Sequence, residues 1–381
     1  MKIKQIALTA ALVCAATGAF AQTSSVTLYG SLDQYFNYLK SSADTSTNTI
    51  RSLNDGSTMR SRIGFKGVED LGDGLAVKFQ LEGGLGADTG ASADTTRFFD
   101  RQAWVGLAST TLGEVRFGRQ NGSVFARGDY VDYTSRTLGS VVNAFGVPSR
   151  YDNDISYVSP RLSGFQFDGH YALAETTVST TNAGVYQLGA DYLNGPFRVG
   201  YASITGKAPK DATYTRSVTY RQVYGNYDYG QGKVYATFIR TNNSTSSGTA
   251  GSATFLSNGS AILGNVGGTV AGTKADVNRY YNIIQLSADY KVTPQLRVGA
   301  LYGVIKDTSD NKMGAKGGAI GAYYDLSKRT TLVASLSTLN NDDNGSFQPS
   351  GSAGLATKFT TAADVTGKRI NDLALGIVHR F

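Results

Sequence analysis

The sequence predicts an all-β chain that closes into a sixteen-stranded antiparallel transmembrane β-barrel, and three observations predict it. Segments of roughly ten residues alternate apolar and polar side chains, the period of a sheet with one face in lipid and one in water. The connections between these segments alternate short and long. Beyond the N-terminal leader no run is apolar enough for a membrane-crossing helix, while the chain holds 46 Gly, 23 Tyr and 17 Phe against 6 Pro. Mean hydropathy is slightly negative, which excludes nothing here, because polar and apolar faces cancel in such a barrel.

The chain opens with Lys2 and Lys4, an apolar stretch from Ile6 to Ala16 and Ala19-Phe20-Ala21. A charged end, a short apolar core and a small-x-small site predict a cleaved signal peptide over residues 1–21, with the barrel over 22–381. The apolar run is too short to span a bilayer, which takes about 20 residues. The only cysteine, Cys14, belongs to this leader. The exported chain therefore needs no disulfide and has no thiolate metal site. Losing Lys2 and Lys4 lowers the formal charge of +7 by two. That mild excess is not clustered into the basic runs of a nucleic-acid footprint, so no nucleic-acid partner is expected.

Candidate strands follow near residues 26–39, 58–69, 75–85, 97–108, 113–120, 153–159, 165–173, 185–193, 197–204, 220–229, 232–241, 278–290, 296–305, 314–326, 330–339 and 368–381. Leu75, Val77, Phe79 and Leu81 share one face, with Ala76, Lys78, Gln80 and Glu82 on the other. Short turns such as Asn194-Gly195-Pro196 and Gly230-Gln231-Gly232 alternate with longer connections over 40–57, 121–152, 242–277 and 340–364. An even strand count, with short turns at one rim and long loops at the other, is the bacterial barrel pattern. In lipid every backbone polar group needs an internal partner, so the sheet must close. Sixteen strands leave a lumen too wide for side chains to fill.

Charge parity then locates the inner wall. In the run from Met59 to Gly67, Ile63 and Phe65 share one face, and Arg60, Arg62, Gly64 and Lys66 the other. A lipid-facing Lys or Arg at the midplane costs about 2–4 kcal/mol, so the basic face is the lumen. Arg101 shares parity with Ala103 and Val105, and the charge places that face inside. Trp104, the only tryptophan, is then expected to face lipid or a neighbouring subunit. Most strand aromatics are expected on the lipid face.

The segments Ser24–Gly30, Ser61–Gly72, Arg101–Leu107, Gly118–Gln120 and Tyr157–Phe165, with the terminal Val378-His379-Arg380-Phe381, resemble the general porins of Gram-negative β-proteobacteria. The likeness runs from Ser24 to Phe381. It implies an outer-membrane homotrimer that passes small hydrophilic solutes without cofactor, and the inward Arg and Lys add the expectation of a mild preference for small anions. It also implies a third loop folded into the bore, with wall arginines opposite loop carboxylates. The matching wall residues are Arg62, Arg101 and Arg150; Arg60 and Lys66 join them by parity. The loop lies between Asn121 and Ser149. It lacks the family's acidic Pro-Glu-Phe-type stretch, which leaves Asp129 and Asp132 as the expected constriction acids. Phe381 matches the terminal aromatic read by the barrel-assembly machinery. Outer-membrane lipid and lipopolysaccharide are the surrounding partners.

Rival readings have weaker support. A hydrolase needs a placed histidine; His379 lies on the apolar face of the last strand, and His170 has no nucleophile near it in sequence. A substrate-specific sugar or organic-anion channel would line its bore with aromatics. The acidic run at 340–345 lacks the ligand spacing of an EF-hand, so no metal site is expected.

Overall fold

Strands form wherever apolar and polar residues alternate, because a pleated strand sends successive side chains to opposite faces. The structure, a computed structural model, describes residues 24–173, 184–206, 218–242, 280–308, 311–349, 351 and 357–381. The expected leader, residues 1–21, lies outside them, as do most of the expected connection over 242–277 and the first residues of the strand expected at 278–290.

The strands are β1 (Ser25–Ser41), β2 in two pieces (Thr49–Asp55 and Arg62–Gly72), β3 (Leu75–Gly86), β4 (Gln102–Ser109), β5 (Gly113–Asn121), β6 (Arg150–Val158), β7 (Phe165–Ala172) and β8 (Val185–Asn194). They continue with β9 (Phe197–Gly206), β10 (Val218–Asp228), β11 (Lys233–Thr241), β12 (Tyr281–Lys291), β13 (Leu296–Asp307), β14 (Ala315–Asp325), β15 (Thr330–Asn341) and β16 (Arg369–Arg380). A two-residue ladder at Ala91–Ser92 sits in the loop after β3. Each strand pairs antiparallel with the next. The ring closes where β1 meets β16, from Ser31 opposite Arg380 to Ser41 opposite Ile370.

The second strand begins earlier than expected, at Thr49, and breaks at residues 56–61. Both pieces pair with β1, Gln34 to Lys40 against the first and Ser25 to Ser31 against the second. Asp33 holds the break together. Its carboxylate accepts the backbone N–H of Ser57 (2.8 Å), Thr58 (2.7 Å) and Met59 (2.9 Å), and the hydroxyls of Ser57 and Thr58. The fourth strand begins later than expected, at Gln102, so residues 97–101 belong to the loop before it.

The outer wall is apolar. Val26, Leu107, Phe167, Leu188, Ile284, Leu286 and Tyr302 are each more than half exposed, and around a closed ring such a surface is the lipid face. Among the described residues no helix is long and apolar enough to cross a membrane; the strands do the crossing.

One expectation about faces is corrected. Trp104 points inward: it is 8% exposed, pairs in register with Gln80, and lies under the Arg116 guanidinium at 4.3 Å. Arg101 is inside as well. It precedes the first paired residue of β4, so strand parity does not tie it to Val105. Most strand aromatics do face outward, as expected, but some do not. Tyr35, Tyr151, Tyr220, Tyr224, Tyr235 and Tyr281 are buried inside the ring, because the third loop gives them something to pack against.

Candidate functional site

The loop from β5 to β6 leaves the wall at Asn121 and crosses the lumen. It contains a 3₁₀ turn (Phe125–Tyr130) and one short α-helix, α1 (Val141–Phe145). Its polar backbone cannot be buried without partners, and the inward residues of distant strands supply them. Ser123 N–H donates to Gln187 Oε1 on β8 (2.9 Å), and Arg127 pairs with Asp168 on β7. Asn226 donates to Tyr130 O (3.1 Å), Thr237 to Val131 O (3.0 Å) and Arg297 to Tyr133 O (2.9 Å). Val141 N–H donates to Gln285 Oε1 (2.8 Å). Leu138 N–H reaches Ser57 O at the β2 break (3.5 Å).

Glycines receive the loop where side chains would collide. A Cβ at Gly299 would lie 2.3 Å from the Tyr133 ring. Val124, Tyr133, Val141, Val142 and Phe145 then pack with Tyr151, Ile204, Tyr220, Ile239, Tyr281, Ile283 and Phe347 in one buried core. One side of the lumen is thereby filled.

On the other side a cavity of about 1120 Å³ remains. Arg60, Arg62, Arg101, Arg119 and Arg150 line its wall, and Asp129 and Arg136 come from the loop. Glu82 accepts from Arg101 Nε at 2.7 Å and from the Tyr29 hydroxyl at 2.9 Å, and forms a longer ion pair with Arg62 Nη1 at 3.7 Å. Asp100 faces Arg60 at 3.4 Å and accepts Gly84 N–H at 2.6 Å. Arg150 stacks on Phe125 at 4.7 Å, and its Nε and Nη2 have no hydrogen-bond partner among the described residues. Burial lowers the pKa of Arg136, against the opposite pull of Tyr220, Asp132 and Asp129; a guanidinium nevertheless stays charged.

Arg60, Arg62, Arg101, Arg150 and Asp129 are thus brought to one cavity. Lys66 is not. Its parity is inward, but it is exposed toward the short-turn rim, with its ammonium 5.4 Å from the Tyr29 ring. Asp132 is a correction: it is 1% exposed and faces no water. It accepts Thr134 N–H (2.9 Å) and hydroxyl (2.6 Å), Arg136 N–H (2.9 Å), Ser140 hydroxyl (2.7 Å) and Gln285 Nε2 (2.7 Å). It is the loop's internal fastening. Glu82 and Asp100 were missed as wall acids, although alternation already put Glu82 on the polar face of β3. Arg136 was missed because a loop has no period to read. Phe381 closes the ring against Gly30, exchanging backbone hydrogen bonds of 3.0 and 3.1 Å.

A closed sixteen-stranded barrel, apolar outside and enclosing a charged cavity, defines a membrane channel of the porin class. The chain belongs to the Gram-negative porin family, whose signature matches residues 7–344. An outer membrane porin of Bordetella pertussis is 30% identical over 376 residues, 87% of this chain and 93% of that one. Outer membrane porin protein 32 of Delftia acidovorans is 27% identical over 393 residues, 98% and 99% of the two chains. An anion-selective porin from Comamonas acidovorans has the same fold, with TM-score 0.73 and 24% identity over 94% of this chain and 100% of that one. The protein is an outer-membrane porin, a channel for diffusion.

Proposed function

We propose that this porin is a general diffusion channel with a mild preference for anions, working as a homotrimer after removal of its leader. One observation carries the preference: the cavity is lined by eleven Arg and Lys but only five Asp and Glu. Fixed charges in a narrow bore with low-dielectric walls concentrate the opposite ion, and rings of Arg and Lys favour anions. Arg60, Arg62, Arg101 and Arg150 form the selective wall, with Asp129 as the loop acid opposing them. The description of the Comamonas porin as anion-selective agrees with this reading. An outer membrane protein of Vibrio cholerae described in trimer form, with TM-score 0.64 and 15% identity, agrees with the oligomer. Lipopolysaccharide and the barrel-assembly machinery, the latter through Phe381, are the expected partners.

The test is the zero-current potential of single channels in a KCl gradient. Anion preference that weakens with salt supports the proposal, since the screening length falls from about 30 Å at 0.01 M to about 3 Å at 1 M. Cation preference at low salt rejects it. Saturating uptake of one solute in liposome swelling would indicate a substrate-specific channel instead.

A further inference from the structure

Near its start the third loop is tied to the barrel by a row of charges that the conducting wall does not use. Arg127, in the 3₁₀ turn, donates to Ser123 O (2.7 Å) and Ser123 Oγ (2.8 Å) within the loop, and pairs with Asp168 on β7. A Cβ at Gly189 would lie 2.3 Å from Arg127 Nη2 and from Asp168 Oδ1, so β8 leaves room for the pair. His170 stands two residues along the same inward face of β7. Its Nδ1 lies 2.7 Å from Asp154 Oδ2 on β6, and its Nε2 lies 3.6 Å from Asp168 Oδ2. The His170 side chain is 6% exposed and that of Asp154 0%.

A neutral imidazole offers one N–H and one lone pair, whereas an imidazolium offers two N–H groups. Here both ring nitrogens face carboxylates. With Nδ1–H donated to Asp154, a neutral ring turns the Nε2 lone pair toward Asp168. Asp168 Oδ2 and Asp154 Oδ1 are buried without a hydrogen-bond partner among the described residues, a rare condition for buried polar atoms. The pocket is short of donors, and an imidazolium supplies one to Asp168. It also completes an alternating row of Arg127, Asp168, His170 and Asp154. The neighbouring groups are otherwise committed. Gln187, opposite His170 on β8, accepts Ser123 N–H at 2.9 Å, and Asp191 on the same strand holds Arg161 and the Tyr224 hydroxyl. On β5, Gln120 accepts the Ser156 hydroxyl at 2.9 Å; on β6, Tyr151 lies beside Asp154 with its hydroxyl buried.

We propose that His170 is a positioning residue for the third loop, and that its proton sets how firmly the loop is held. With the proton on, Nε2–H and Arg127 both hold Asp168, and the start of the loop is fixed to β6 and β7. As pH rises the proton leaves, the row keeps one net negative charge, and Asp168 is released to move with Arg127 toward the bore. The restraint is therefore present at the acid end and lost toward the alkaline end. Histidine is the side chain that ordinarily changes charge between about pH 5 and 8. The chain's other histidine, His379, lies at the short-turn rim, 2.9 Å from the Thr330 hydroxyl.

Single channels of the intact porin test it, recorded in about 1 M KCl, where a screening length of about 3 Å keeps ion preference out of the reading. Open-channel noise is followed from about pH 5 to about pH 8. The wild type should be quiet at the acid end. The time spent in noisy, loop-detached states should rise about tenfold toward the alkaline end, as expected for the loss of one hydrogen bond to a charged group. His170→Gln should be noisy across the whole range. Imidazole nitrogen NMR reads the proton without touching the site, since His379→Gln leaves His170 as the sole histidine. The ring should pass from two N–H groups to one over the range in which the noise rises. Three results overturn the proposal: noise that does not change with pH, a wild-type pH profile in His170→Gln, or a His170 ring that keeps one protonation state throughout.

Discussion

On the β8–β13 side of the lumen, inward tyrosines and isoleucines pack against the third loop in one buried core. On the β2–β6 side, the same alternating strands present arginines to open water. Strand geometry does not distinguish these sides; the residues at inward positions do. Apolar inward residues are useful only where the loop covers them. Inward charges stay soluble only where it does not, or where a carboxylate meets them. The loop thus divides the barrel into a structural half and a conducting half, and Asp132 and Asp129, three residues apart, fall on opposite sides of the division.

Breaking the structural half should have the largest effect. Asp132→Ala leaves buried donors without an acceptor, and even one hydrogen bond to a charged group is worth about 1.5–3 kcal/mol. The loop should detach from β12, giving a noisy open-channel current and new protease cleavage within residues 121–149. A quiet trace would show that the loop is held by its apolar core alone.

Breaking the conducting half should leave the fold intact. Arg62→Gln with Arg101→Gln removes two charges and frees Glu82 to act as an anion. The anion-to-cation permeability ratio should fall by roughly tenfold, the equivalent of about 1.4 kcal/mol. No shift in zero-current potential would mean that the wall does not select.

A smaller effect should arise at the seam. Gly299→Ala puts a methyl where the Tyr133 ring lies, and overpacking of this kind costs about 1–3 kcal/mol. Reduced single-channel conductance with a lower dissociation temperature is expected; wild-type values for both would show that the ring relocates freely. The smallest change should come from Asp129→Asn. Removing the exposed loop acid should raise anion preference slightly, leave thermal stability unchanged and vanish in 1 M salt. A loss of stability would place Asp129 with Asp132 among the loop's fastenings.

How far the sequence could be read follows from these particulars. Strands such as Tyr281–Lys291 were legible because lipid and water enforce strict alternation on the two faces. The basic face of Arg60 and Arg62 was legible by the same rule. The partnership of Arg62 and Arg101 with Glu82 was not, since it depends on which residues the register sets side by side. Asp132 could not be told from Asp129, because burial in a loop follows from tertiary contacts and leaves no periodic trace. Trp104 was misplaced by assuming that Arg101 already belonged to the strand. The inward tyrosines escaped notice because their partner is a loop, which parity cannot see.

The closing ladder between β1 and β16 has a consequence for how the molecule is made. Gly30 and Phe381 must find each other across nearly the whole chain, and loop-closure entropy opposes contacts between such distant residues. Until they meet, β1 and β16 are both open edges, ready to pair with any other strand and so to aggregate. Nor can a half-built sheet wait in the bilayer, where unpaired backbone groups cost several kcal/mol each. Insertion and ring closure are therefore coupled, because a sheet that enters the hydrocarbon unclosed carries two unpaired edges with it.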